Sequence, residues 1–142
     1  IPKKINKSCN LSNNLIKKIQ FNNQEIENLD LSENFLTDLD IKLLNINSLN
    51  VSINQIKEIK SLPKKINYLH VSHNNLFDLN CLEKIENITI KELNLSFNNY
   101  NQSIQKIKTT EELKIFLKGK HLYDELIQKL KSNNKNKKID KI

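Results

Sequence analysis

The chain has 142 residues, enough for one domain, and its hydrophobic fraction of 37% is low for a globule built of packed layers. It contains 24 asparagines but a single glycine, which excludes the glycine-rich phosphate loops of nucleotide-binding enzymes and leaves asparagine to form turns. No run of about 18 apolar residues is present, so we expect no membrane partner.

The net charge of +7 lies mostly at the C-terminal end. Residues 129–142 contain six lysines and one acid and carry +5, which leaves +2 on the rest of the chain. This end offers an alternative function, attachment to nucleic acid or tubulin, beside the plainer interpretation of a solvated, partly disordered tail. Arginine is absent, and the abundance of lysine, asparagine and isoleucine indicates a protist with an AT-rich genome.

A pattern of apolar residues with one asparagine returns along most of the chain. In the stretch 26–39, IENLDLSENFLTDL, it takes the form LxxLxLxxNxL, which resembles the leucine-rich repeat. It returns after 20 residues, again after 20 and then after 24, and it extends upstream to Cys9. The repeated asparagines are Asn14, Asn34, Asn54, Asn74 and Asn98. This regularity predicts a solenoid, in which each coil buries its apolar slice against its neighbours.

The LxL part of each repeat predicts a short strand with one buried face, because alternate side chains of a strand point to opposite faces. The predicted fold class is therefore α/β, a leucine-rich-repeat solenoid with a parallel concave β-sheet of about six strands and a C-terminal capping helix. Coils of 20 residues leave room on the convex side only for irregular or 3-10 segments. The longer segment 81–90 has room for a helical turn or two.

Each repeated asparagine follows its strand, at the point where the chain bends inwards. Its side-chain amide has both donors and acceptors, and it can satisfy backbone groups of its own turn and of the next coil. We therefore predict that the five asparagines form a buried structural ladder.

The C-terminal region departs from the pattern. Ile115 and Leu117 fit a sixth strand, followed by a loop at Gly119-Lys120 in which lysine replaces the ladder asparagine. From Leu122 to Leu130, apolar residues recur at helical spacing, which predicts an amphipathic helix laid across the open end of the core.

These patterns divide the chain into three parts. Residues 1–108 form the repeats, residues 109–131 form the last repeat and the capping helix, and residues 132–142 form a lysine- and asparagine-rich tail. The first two parts share one continuous core in this interpretation.

The run 117–131, LKGKHLYDELIQKLK, with KKIDKI at the chain end, resembles the terminal cap of short intracellular leucine-rich-repeat proteins. That group includes phosphatase-regulatory, spliceosomal and axonemal dynein light-chain members. The matching residues are Gly119, Tyr123, Ile127 and the pair Ile139-Asp140, whereas Lys120-His121 stands where the group has Asn-Pro. The resemblance implies an architecture and leaves the partner open.

Function is expected on the concave face, where the residues between the leucines point outwards. Early repeats present small polar groups there, and aromatic residues gather towards the C-terminal half. Binding energy concentrates in aromatic anchors within a polar rim, so we predict the partner contact in that half. The alternative is that these aromatics pack on each other or under the cap. The predicted contact residues are Asn50, Ile53, Tyr68, His70, His73, Asn94, Phe97, Phe116 and Lys118.

No catalytic, metal or cofactor site is expected. Cys9 occupies a core position without a partnered base, and His70 with His73 supplies too few ligands for zinc. The serine that recurs after each strand is interpreted as a compact strand-end residue rather than a nucleophile. We therefore expect no enzymatic activity.

The leading interpretation is an intracellular module, cytoplasmic, nuclear or cytoskeletal, that binds a protein partner as a monomer or in a larger complex. Several coils separate Cys9 from Cys81, which excludes a disulfide and suits a reducing compartment. The chain begins at Ile1-Pro2 without a leader, and we expect a fragment or a processed chain. The alternative is an extracellular receptor or adhesion fragment, glycosylated at sequons such as residues 10–12.

Overall fold

In a computed structural model of the chain, residues 8–21, 25–43 and 45–140 are described, with side chains as far as residue 133. They form a parallel-strand solenoid followed by a C-terminal helix, as predicted. The elements in chain order are β1 (Ser8–Asn10), β2 (Asn28–Asp30), β3 (Asp38–Asp40), β4 (Asn45–Asn50), β5 (Glu58–Ser61), β6 (Lys65–His70), α1 (Leu79–Glu86), β7 (Glu92–Asn94), α2 (Gln102–Gln105) and α3 (Thr110–Asp140).

The main sheet has five parallel strands in the order β1-β2-β4-β6-β7, one from each coil. Leu49 pairs with Leu29 on one side and with Leu69 on the other, and Leu69 pairs with Leu93. Because each repeat position lies opposite the same position of the next coil, these leucines stack in one fully buried row. The 20-residue period correctly predicted this parallel sheet. The described residues contain five of its strands, whereas about six were predicted.

The opposite side of the solenoid is more regular than predicted. β3 and β5 pair in parallel as a second, two-stranded sheet instead of irregular segments. The 24-residue step accommodates α1, whose N-cap Asp78 accepts a hydrogen bond from the backbone N–H of Cys81. α1 buries Cys81, Leu82 and Ile85 against the core. The four extra residues therefore thicken one coil on the side away from the main sheet.

Four of the repeated asparagines are buried, and each bonds its own turn and the preceding coil. The Asn54 Nδ2 donates to the carbonyls of Val51 and Ser52 in its own turn and to that of Leu31 in the coil before, at 3.0–3.3 Å. Its Oδ1 accepts from the backbone N–H of Leu36 at 2.9 Å. The same bonds recur at Asn34, Asn74 and Asn98. In the described residues, Asn14 is exposed and bonds only within its own turn.

The residue immediately before each of these asparagines has a left-handed backbone. These residues are Asn13, Glu33, Ile53, His73 and Phe97, with φ between 54° and 56°. The backbone N–H of each of the first four donates to the serine carbonyl of the following coil, which extends the ladder beyond the strands. The turn thus fixes a strained conformation at one position of every coil.

The predicted sixth strand at Ile115 and Leu117 is wrong, because both residues lie in α3. The helix begins earlier than predicted: Thr109 Oγ accepts from the backbone N–H of Glu112, and Glu112 Oε2 accepts from the backbone N–H of Lys108. Thr109 and Glu112 have the sequence spacing of a capping box, with Glu112 bonding the residue before the N-cap, and the pair favours a helix start at Thr110. The predicted loop at Gly119-Lys120 is likewise helical.

α3 closes the core with its first two turns only. Leu113 and Leu117 are buried, and Phe116 packs beside them. The segment from Leu122 to Leu130, predicted to lie across the open end, has no buried residue. The predicted division into repeats (1–108), last repeat with capping helix (109–131) and tail (132–142) stays a prediction. Helix α3 runs without a break across the boundary between residues 131 and 132.

Replacing Asn54 by alanine should lower the free energy of unfolding by about 3 kcal/mol, because it leaves the buried N–H of Leu36 without a partner and removes three further bonds. Asn14→Ala is the matched control and should cost less than about 1 kcal/mol, because that amide is exposed. Urea unfolding followed by circular dichroism measures both. Equal losses in the two variants would contradict the assigned role of the ladder.

Replacing Gly119 by alanine should stabilise α3 by about 0.5–1 kcal/mol, since glycine is a poor helix residue and an added Cβ meets no atom within 4 Å. The expected observation is a higher helix content and a higher melting temperature in far-UV circular dichroism. Lys118→Ala, a change between two good helix formers, serves as control. Destabilisation by Gly119→Ala would instead indicate a turn at this position.

Candidate partner-binding surface

The structure brings seven of the nine predicted contact residues to one side of the main sheet. Asn50, Tyr68, His70 and Asn94 lie on β4, β6 and β7. Ile53, His73 and Phe97 occupy the left-handed position that follows these strands. Phe116 and Lys118 do not belong to the sheet: both lie on α3, and Phe116 packs against the core. Their predicted strand positions are wrong because the segment is helical.

A row of side-chain hydrogen bonds runs along the ends of the strands. The Oδ1 of Asn50 accepts from both the backbone N–H and the Oγ of Ser52, at 3.0 and 2.7 Å. The same pair of bonds forms in three other coils, at Asn10, Asp30 and Asn94. The recurrent serines are therefore structural, and the Oδ1 atoms of Asn50 and Asn94 are engaged within their own turns.

His70 interrupts this row. It occupies the register position between Asn50 and Asn94, where the other coils carry asparagine or aspartate. Tyr68 lies two residues before it on the same strand, more than a third exposed, with Ser48 and Glu92 as its strand neighbours. Strand β6 thus presents two rings, whereas the neighbouring strands present amides, hydroxyls and carboxylates on this face.

Ile53, His73 and Phe97 form a row, here called the ridge, along the edge of the same face. Phe97 is 66% exposed and Ile53 is 48% exposed. The His73 and Phe97 rings stack with centroids 4.2 Å apart and 17° between their planes. This one pair of rings packs together, which is part of the alternative interpretation, yet most of Phe97 stays in contact with solvent.

The N-terminal half of the face is polar and shallow. A depression of about 360 Å³ lies over β1, β2 and β4 and reaches His70. Its exposed lining is formed by small polar groups, including Asn10, Asn28, Asp30 and Asn50. The face therefore has an amide-lined half and an aromatic half, which meet at β6.

The two cysteines differ in their environment. Both are unpaired, Cys9 half-buried and Cys81 buried. Burial, followed by the hydrogen bond with Asp78, raises the pKa of Cys81 to about 12, so its thiol stays protonated at neutral pH. In the described part of the chain, no group of three His, Cys, Asp or Glu side chains could hold a metal ion.

Comparisons give no relative for this chain. No protein-family model, no curated protein and no solved structure matches it. Within the described ranges, no helix combines the length and the apolar character needed to cross a bilayer. The inferences below therefore rest on the repeat pattern and on the geometry of the fold.

The buried Cys81 and Tyr100 should make the fold sensitive to alkaline pH. Burial raises the pKa of both groups, so the unfolded chain loses these protons at lower pH than the folded chain. Stability should be intact below about pH 9 and fall as pH rises towards 12, by at most about 1.4 kcal/mol per pH unit for each group. Unfolding by urea at several pH values measures this slope.

The variant Cys81→Ala separates the two groups. It should lower stability at neutral pH and also flatten the alkaline slope, with Tyr100 responsible for the part that remains. A slope identical to that of the unchanged chain would show that the Cys81 thiol does not govern the loss.

Proposed function

We propose that the chain is a leucine-rich-repeat protein of the short intracellular type, and that it acts as a non-enzymatic module which binds a protein partner on its concave face. The assignment to this family is supported by the LxxLxLxxNxL pattern, by asparagines that bond two coils, and by the strand carried by each coil. The capping-type C-terminal helix adds to it.

The ridge is the observation that carries the proposed function. A left-handed backbone disfavours isoleucine and phenylalanine by about 1–2 kcal/mol for each residue, and asparagine or glycine would relieve that cost. The turn imposes this backbone on five coils, so the strain at Ile53 and Phe97 comes from the choice of residue, and costly residue choices of this kind are found at functional sites. Ile53 and Phe97 therefore keep exposed apolar side chains at positions where the fold alone favours other residues.

The shape of the surface favours a macromolecule over a small ligand. The ridge crosses three coils, or about 10 Å at the spacing of parallel strands, and it is open to solvent. Small-molecule sites are usually enclosed and concave, whereas exposed aromatic anchors beside polar groups are typical of protein contacts. Tyr68 and His70 extend the apolar area, and Glu92 supplies part of a polar rim.

An intracellular location is supported by the two unpaired thiols and by the three sequon asparagines on the sheet face. The side-chain Oδ1 atoms of Asn10, Asn50 and Asn94 are bonded to the serines of their own sequons. Glycans at these positions would cover the face to which we assign binding. The extracellular alternative therefore conflicts with the proposed site.

The double variant Ile53→Asn/Phe97→Asn tests the ridge. Because asparagine tolerates the left-handed backbone, we expect a stability at least equal to that of the unchanged chain. Capture of the partner from an extract of the source cell should fall by about 30-fold, the effect expected from losing binding anchors. Urea unfolding and quantitative pull-down measure the two effects.

Glu33→Asn is the matched control, since it relieves the same backbone conformation at a polar residue outside the ridge. It should leave capture unchanged. Retention of the same partners by the double variant would disprove a role for the ridge, and loss in both variants would point to a change in the fold.

A further inference from the structure

The middle of α3 carries an apolar stripe that packs against nothing in the described structure. From Lys118 to Asn133 no residue is buried, in contrast to Leu113 and Leu117 of the same helix. The exposed fraction is 58% for Leu122, 58% for Tyr123, 54% for Leu126 and 49% for Leu130, and Ile127 between them is half-buried. The stripe consists of Leu122, Tyr123, Leu126 and Leu130.

Helical geometry places these side chains along one face. Leu122, Leu126 and Leu130 follow each other at intervals of four residues, and neighbours at this interval lie one above the other on a helix. Leucine and tyrosine exposed together in this way form a contiguous apolar surface, which soluble proteins usually reserve for a partner. The surface is separate from the ridge, because it lies on α3 beyond the residues that close the core.

Lysines border the stripe on both sides. At about 100° per residue, Lys118 and Lys129 lie along one margin, and Lys120 and Lys131 lie along the other. Lys120 bonds Asp124 at 3.1 Å and lies 5.8 Å from the centre of the Tyr123 ring. Among the described residues, no carboxylate lies within 4 Å of the other three lysines. Glu125 lies beside the first margin and Asp124 beside the second, so each border has two lysines against one carboxylate and keeps a net positive charge.

We propose that this stripe docks an amphipathic helix of a partner protein, with acidic residues on both margins of that helix's own apolar face. The apolar residues of the two helices would exclude water, and carboxylates of the partner would pair with Lys118, Lys129 and Lys131. This is the helix-to-helix mode of recognition, in which leucines at intervals of three and four residues serve as anchors.

Charge argues against a second copy of this chain as the occupant. Self-pairing brings the same lysine borders together, and like charges at the margins of paired helices disfavour the pair. With an acidic partner helix, the border lysines meet carboxylates instead of other lysines, and the interaction becomes attractive.

A lipid surface and a nucleic acid fit less well. The face opposite the stripe carries His121, Asp124 and Gln128, whereas helices that lie on anionic membranes usually carry many lysines or arginines on that face. A nucleic acid would use the lysines and leave the leucines without a role, because its phosphates supply most of the contact.

The experiment uses the full chain and two labelled helical peptides with identical leucine faces, one bordered by glutamates and one by lysines. Fluorescence anisotropy should show binding of the glutamate-bordered peptide and at least tenfold weaker binding of the other. Leu126→Gln/Leu130→Gln should weaken binding about 100-fold, because glutamine keeps the helix but removes two buried leucines. His121→Gln/Gln128→Ala, on the opposite face, is the matched control and should change nothing.

Charge reversal supplies the second arm. Lys118→Glu/Lys129→Glu/Lys131→Glu should transfer the preference to the lysine-bordered peptide. Equal binding of both peptides, or none, would overturn the proposal. Another occupant would overturn the proposal if the glutamate-bordered peptide does not bind. That occupant would be a second copy, seen as a dimer in sedimentation, or a lipid or nucleic acid, seen as binding to vesicles containing phosphatidylserine or to duplex DNA. In each case, Leu126→Gln/Leu130→Gln would have to abolish the association.

Discussion

The fold depends on one side chain, a primary amide buried at the same place in successive coils. An amide offers two donors and one accepting oxygen, so a single asparagine can hold three carbonyls and one N–H that would otherwise be buried without partners. At Asn74, these groups belong to its own turn and to the coil before it. Aspartate would lack the donors and serine would lack the reach, which explains why this residue type recurs.

Because the amide fixes only the strand and its turn, the rest of each coil can vary in length. Asn98 bonds Leu76 and Val71 across 22 and 27 residues, whereas Asn74 bonds its preceding coil across 18 and 23. The four-residue difference is absorbed by α1 on the far side. The same turn imposes a left-handed residue next to each asparagine, and that residue's side chain points away from the core. The element that stabilises the stack therefore also presents the surface to which binding is assigned.

The sequence was informative where one interaction repeats and misleading where two periods overlap. The leucine and asparagine spacing predicted the parallel sheet and the positions of Tyr68 and His70 on its face. Ile115 and Leu117 suggested a strand by their spacing of two, but Leu113, Phe116 and Leu117 also follow a helical spacing, and the Thr109–Glu112 pair decides between them. The pairing of β3 with β5 could not be predicted, since it rests on backbone geometry. Nor could the left-handed Ile53, because a β-branched residue argues against that conformation.

A repeating ladder must also end, and the way it ends explains why α3 has an unoccupied face. Where a further coil would supply carbonyls, the backbone N–H of Phe97 donates to the Gln105 side chain and that of Leu93 donates to the Lys108 carbonyl. The hydroxyl of Thr110 accepts from Ile90, and α3 begins at this residue. The last polar groups are thus satisfied before the helix starts, and two helical turns suffice to cover the apolar slice. From Lys118 to Asn133, no described side chain of α3 is buried, so the leucines of the next three turns do not help to close the core that the structure describes.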